Sequence, residues 1–136
     1  MAESVSIITS EIVSTKDLGE LCLSMGGWLV DGGVVETYGI NSGDTNVWIS
    51  IQQDWATEML RDEEFDNACE NILGAAPKTF IEMQRGRGSK QGRLYIYIAY
   101  AFSKKWNVVL CDTGERILSP ADIEARCAAE CGDLLS

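Results

Sequence analysis

Histidine is absent from the 136 residues. That removes Ser–His and Cys–His nucleophilic catalysis and every His-ligated metal site. Proline is scarce: Pro77 and Pro120 are the two, and neither opens a linker, so residues 1–136 read as one domain. No apolar run approaches the roughly 20 residues that a membrane-spanning helix needs. The opening MAESVSIITSEIV has no basic n-region and carries Glu3 and Glu11, so no secretory signal is expected. The five cysteines, Cys22, Cys69, Cys111, Cys127 and Cys131, are odd in number and contain no C-x-x-C pair. That usage suits a reducing, cytoplasmic setting and offers no zinc site. Cys127 and Cys131 stand one helical turn apart behind Ile123, the pattern of a buried stripe.

Basic residues are the other shortage. Net charge is −10, which argues against a nucleic-acid or anionic-membrane partner. Residues 1–74 hold fourteen acids against Lys16 and Arg61, a net of −12, while residues 75–136 hold seven acids and nine bases, a net of +2. The densest part runs from Asp54 to Glu70 with Arg61 as its one base. Such a run is either a solvated face or an electrostatic docking face that speeds encounter with a basic partner.

What remains is ordinary globular composition, 46% apolar and 24% charged. Ser4 to Val13 is β-branched and reads as a first strand. Ser14 and Asp17 form a capping box, Leu18, Leu21, Cys22 and Met25 follow at helical spacing, and Gly26-Gly27 stops the helix. Trp28-Leu29-Val30 and Val34-Val35 flank Asp31-Gly32-Gly33, a hairpin signal. The stretch Asn41-Ser42-Gly43-Asp44 reads as a loop before a strand from Asn46 to Ile51. That strand sets Val47, Ile49 and Ile51 on one face and Trp48 on the other. A short helical turn is expected over Asp54 to Leu60. A helix follows over Asp62 to Leu73, with its acids in the first turns and Phe65, Cys69, Ile72 and Leu73 as its buried stripe. Gly74 ends it, and Thr79 to Gln84 is a strand.

Ser89 to Trp106 contains RLYIYIAYAF, which has high β propensity. Its length without a turn signal, and the helical spacing of Leu94, Ile98, Ala101, Phe102 and Lys105, favour a helix. Trp106, at its end, is expected in the core. Val108 to Cys111 and Arg116 to Leu118 form a hairpin about Asp112-Thr113-Gly114-Glu115. Ser119-Pro120-Ala121-Asp122 opens a last helix to about Cys131. The order is that of an α+β fold: a mixed or antiparallel sheet with three to four helices packed on it.

No carboxylate pair is singled out as a general acid and base, and no cofactor is expected. The basic, glycine-rich stretch Gln84 to Arg93 lies between a strand and a helix, where backbone amides can cradle phosphate. Its Gly88-Ser89-Lys90 order is not that of a Walker loop. Arg85-Gly86-Arg87-Gly88-Ser89-Lys90 is similar to the acetyl-coenzyme-A loop of GNAT acetyltransferases but places Lys90 where a small residue is needed. It reads either as a nucleotide or coenzyme A site or as a basic turn that balances the acidic half. The aromatics say more. Trp48 points away from the apolar row of its strand, and Trp55 lies in the most acidic segment. Core placement is the ordinary reading of a tryptophan. Exposed beside acids, either would make an anchor-plus-charge interface.

The run FIEMQRG, then GSKQGRLYIYIAYAFSKKW, then NVVLCDTGERILSPADIEA resembles small acidic bacterial immunity proteins, which neutralise toxins delivered by contact-dependent or type VI secretion systems. The likeness covers roughly residues 78–125, and no binding residue is carried over from it. It implies a cytoplasmic protein that is no enzyme and binds a toxin domain. A toxin that acts on nucleic acid or nucleotides tends to have a basic cleft where an acidic partner docks, so a basic toxin domain is the expected partner. On the residues themselves the expected docking set is Asp44, Trp48, Asp54, Trp55, Glu58, Asp62, Glu63, Glu64 and Asp66. The chain is expected to be a monomer or homodimer. An acidic secretion chaperone that holds a secreted client is a further reading of the same composition.

Overall fold

The computed structural model describes residues 4–30, 36–42, 45–51, 63–85, 93–111 and 117–130. Their elements follow one another as β1 (Ser4–Thr9), α1 (Thr15–Ser24), β2 (Trp28–Val30), β3 (Thr37–Ser42), β4 (Thr45–Ile51), α2 (Glu63–Leu73), β5 (Thr79–Arg85), α3 (Arg93–Ser103), β6 (Val108–Cys111), β7 (Ile117–Leu118) and α4 (Pro120–Glu130). The strands form one sheet in the order β2-β3-β4-β5-β1-β6-β7. Every pairing is antiparallel. The fold class is α+β, as the sequence implies.

Local chemistry explains the ends of the helices. Ser14 caps α1: its hydroxyl accepts from the Asp17 amide at 3.1 Å, and the Ser14 amide donates to the Asp17 carboxylate at 3.4 Å. The same reciprocal pair opens α4, where Ser119 and Asp122 exchange bonds of 3.1 and 3.2 Å. Gly26 and Gly74, with φ of +82° and +81°, turn the chain out of α1 and α2.

Alternation along the strands then sorts side chains onto two faces. One face presents Val5, Ile7, Tyr38, Ile40, Val47, Ile49, Ile81, Met83, Val108 and Leu110, all buried. These pack with Leu18, Leu21 and Cys22 of α1, with Leu94, Ile98 and Phe102 of α3, and with Ile123 and Cys127 of α4. The other face carries a smaller core, in which Cys69 and Leu73 of α2 meet Ile8 and Val109. Helices α1, α3 and α4 therefore cover one side, and α2 covers part of the other. Helix α3 is apolar nearly all round because it sits between the sheet and α4. That placement overrides the β propensity of its sequence.

Several expectations need correction. The first strand stops at Thr9 rather than Val13. Thr9 turns its hydroxyl onto the Asn107 carbonyl at 2.7 Å, and Thr79 takes over Val13, accepting from its amide at 3.2 Å. Thr79 also donates to the Glu11 carbonyl at 2.8 Å. Asn107 closes this end of the sheet by donating its side-chain amide to the Leu73 carbonyl at 2.8 Å, which caps α2. Asn41 and Ser42 are not loop residues but the end of β3. They extend the strand because Asn41 pairs with Asn46, and their side chains bond at 2.7 Å. The hairpin after β2 returns at Thr37, opposite Val30. Ile72 is 37% exposed and lies off the buried stripe of α2, which Cys69 and Leu73 carry. Val34, Val35, the turn expected over 54–60, the side chain of Phe65, the turn 112–115 and Cys131 lie outside the described residues.

Candidate partner-binding face

Helix α2 reaches β5 at Phe80 but leaves the rest of the β2–β3–β4–β5 part of its face uncovered by any described helix. Across it, the pairing register sets Trp28, Gly39, Trp48 and Gln84 in one row. The next row holds Ser50 and Glu82 and continues through Ser6 to Cys111, which already packs against the α2 core. Asn41 and Asn46 share the face on its other side by alternation.

Trp28 and Trp48 meet on this surface over β3, beside the border strand β2. Their ring centroids are 5.9 Å apart at an interplanar angle of 87°, an edge-to-face contact. Gly39 makes it possible. A Cβ built there would stand 2.7 Å from ring atoms of both tryptophans, so only a residue without a side chain lets the two rings close over the strand between them. Trp28 is 39% exposed and Trp48 is half-buried. An aromatic pair in a frame of Asn, Ser, Gln and Glu has the composition of an interface centre with a polar rim.

The docking set divides into three groups. Trp48 stands on the uncovered surface. Glu63, Glu64 and Asp66 fall in the first turns of α2, the helix packed on the same side of the sheet. Asp44, Asp54, Trp55, Glu58 and Asp62 lie outside the described residues. Trp106 is partly buried against the main core, with its ring centroid 5.4 Å from that of Phe102. Trp28 is outside the expected docking set: in the sequence it opens a hairpin and is one of four tryptophans whose ordinary place is the core. The available signal was Gly39 in the middle of a strand, which marks a close approach.

The described residues offer little else as a site. No buried side-chain nitrogen or oxygen among them lacks a hydrogen-bond partner. No three of Cys, Asp and Glu among them could hold a metal ion. No helix among them is long and apolar enough to cross a membrane. The glycine-rich stretch does join a strand to a helix, β5 to α3, but residues 86–92 lie outside the description. Compared with family models, curated proteins and solved structures, the chain matches none.

Two titrations on the covered side carry a prediction. Burial pushes the Cys22 thiol up to about 12 from 9.0. The Tyr38 hydroxyl donates to the Glu36 carboxylate at 2.6 Å. This bond first, then burial and the Glu36 charge, pushes Tyr38 up to about 12 from 10.0. Both groups hold their protons more tightly in the folded chain than in the unfolded one. Their contribution to stability is complete below about pH 9 and is lost as pH rises from there through about 12. The urea midpoint should therefore fall across that window, and Cys22→Ala and Tyr38→Phe should each flatten the fall. A Tyr38→Phe curve parallel to the parent curve throughout would disprove the assignment to Tyr38. At pH 8 the native Cys22 should resist iodoacetamide, because the buried thiol is neutral and covered.

Proposed function

We propose that this protein is an immunity protein. In this reading it acts in the cytoplasm, binding a toxin domain and occluding its basic active-site cleft. The single observation that carries the reading is the Trp28–Trp48 pair on a sheet surface that no described helix covers, on the side where α2, whose sequence begins with Glu63, Glu64 and Asp66, packs through Cys69 and Leu73. Aromatic rings supply desolvated contact area, and carboxylates supply steering and orientation toward a positive cleft. A toxin that acts on nucleic acid or nucleotides offers such a cleft, because it must attract phosphates.

The test begins with co-purification from the native cell, which identifies the partner. Stopped-flow association is then measured with the triple variant Glu63→Lys, Glu64→Lys and Asp66→Lys. Long-range steering makes the association rate the sensitive quantity, so a fall of more than about tenfold at low salt is expected, shrinking as salt screens the charges. The reversal also opposes the helix dipole at about 0.3–1 kcal/mol per residue, so a thermal melt accompanies the measurement. An unchanged association rate in a folded variant would remove α2 from the docking face. A partner that is a small-molecule enzyme with no basic cleft would remove the immunity reading altogether.

A further inference from the structure

The two borders of the sheet differ. At one border, β7 is two residues long, Leu118 is buried, and the chain passes at once through Ser119 into α4. At the other border stands β2, Trp28–Val30, paired with β3 on one side and with no described strand on the other. A border strand presents a row of backbone donors and acceptors and is ordinarily protected by charge, proline or a bulge. Strand β2 contains no charged residue and no proline. Its side chains are unusually bare: Leu29 is 49% exposed and Trp28 39%. Leu23, near the end of α1, is 56% exposed. Leu29 lies opposite Tyr38, on the helix-covered side, and Trp28 lies opposite Gly39, on the uncovered side. The border is thus flanked by apolar surface above and below.

Charge decides what fits there. From Asp17 to Leu60 the chain runs 44 residues without a lysine or arginine and with seven acids. That stretch builds β2, β3 and β4, the half of the sheet that ends at this border, and α1 from Asp17 on; Lys16 in the first turn of α1 is the one base beside it. Among the acids, Glu20 on α1 and Glu36 before β3 are exposed. A second copy of this chain would bring two net-acidic halves together, which long-range repulsion opposes. An extended segment that alternates basic and apolar residues would instead neutralise the rim and cover Leu29 and Trp28.

We propose that the outer border of β2 receives an extended, basic segment of the partner protein as an eighth strand. Backbone hydrogen bonds along Trp28–Val30 supply the pairing, and alternate side chains of the segment reach Leu29 on one side and the Trp28–Trp48 pair on the other. The inference rests on the reading of this chain as a binder of a basic protein and names how that protein is held.

The experiment uses the full chain and an eight-residue peptide that alternates lysine and valine. Its comparison is the same peptide N-methylated at alternate residues, equal in charge and side chains but lacking those backbone donors. Saturable binding by tryptophan fluorescence is expected for the first, with affinity at least about tenfold weaker for the second. Hydrogen exchange should show new amide protection within Trp28–Val30. Equal affinity for the two peptides, no saturable binding by either, or protection confined to other strands would overturn the proposal. A concentration-dependent dimer whose formation protects Trp28–Val30 would overturn it in favour of self-pairing. Failure here is separable from failure of the immunity reading. A cognate toxin bound without protection of β2 sinks only the added strand, whereas peptide binding without any inhibited toxin sinks only the immunity role.

Discussion

Truncating Trp48 to alanine is expected to weaken binding of the cognate partner by at least about thirtyfold, equivalent to about 2 kcal/mol. Trp48 is half-buried on the face that no described helix covers and rests edge-to-face against Trp28. Its removal takes away the centre of the proposed contact and also the support of the second ring. Because the main core lies on the opposite side of the sheet, the far-UV spectrum should persist, and the change should appear chiefly in the dissociation rate. Gly39→Ala is the companion variant. The added Cβ must push the two rings apart, since it would begin 2.7 Å from each. The near-UV circular dichroism of the coupled indoles should collapse, and affinity should fall with it. Full affinity in a folded Trp48→Ala protein would mean that this surface is not where the partner sits.

Phe102→Ala is expected to cost about 3–5 kcal/mol of stability. Phe102 is wholly buried at the meeting of α3 with the sheet, with the Trp106 ring 5.4 Å away. Its loss leaves a void among Ile98, Val108 and their neighbours that rigid strands cannot close. Against a total of about 5–15 kcal/mol for an ordinary domain, the fall should lower Tm on the order of 10–20 °C. Urea titration of the variant checks it. Ile72→Ala supplies the contrast: at 37% exposure on α2 it should cost under about 1 kcal/mol. A Phe102→Ala protein as stable as the parent would contradict the packing described for α3.

Much of the architecture follows from local pattern. Ser14 with Asp17, and Ser119 with Asp122, announce their helices because a capping box is written within four consecutive residues. The alternation of Val47, Trp48 and Ile49 separates the two faces of β4 because the strand period is two. The spacing from Leu94 to Phe102 favours the helix that forms, against the propensity of its tyrosines and isoleucines. Strand β3 was harder to read. Thr37–Ser42 contains glycine and asparagine, and it is held as a strand by neighbours on both sides rather than by its own preference.

The candidate site was legible only in part. Sequence alone determined an acidic α+β chain, its caps, the faces of its strands, and a tryptophan in β4 that points away from the apolar row. Tertiary structure alone decided that β1 inserts between β5 and β6, that α2 crosses to the side opposite the other helices, and that Trp28 closes on Trp48 over Gly39. The reason is physical. A residue pattern states which side of an element avoids water, but strand pairing is a choice among distant partners, made when the whole core closes and all the apolar faces are buried together.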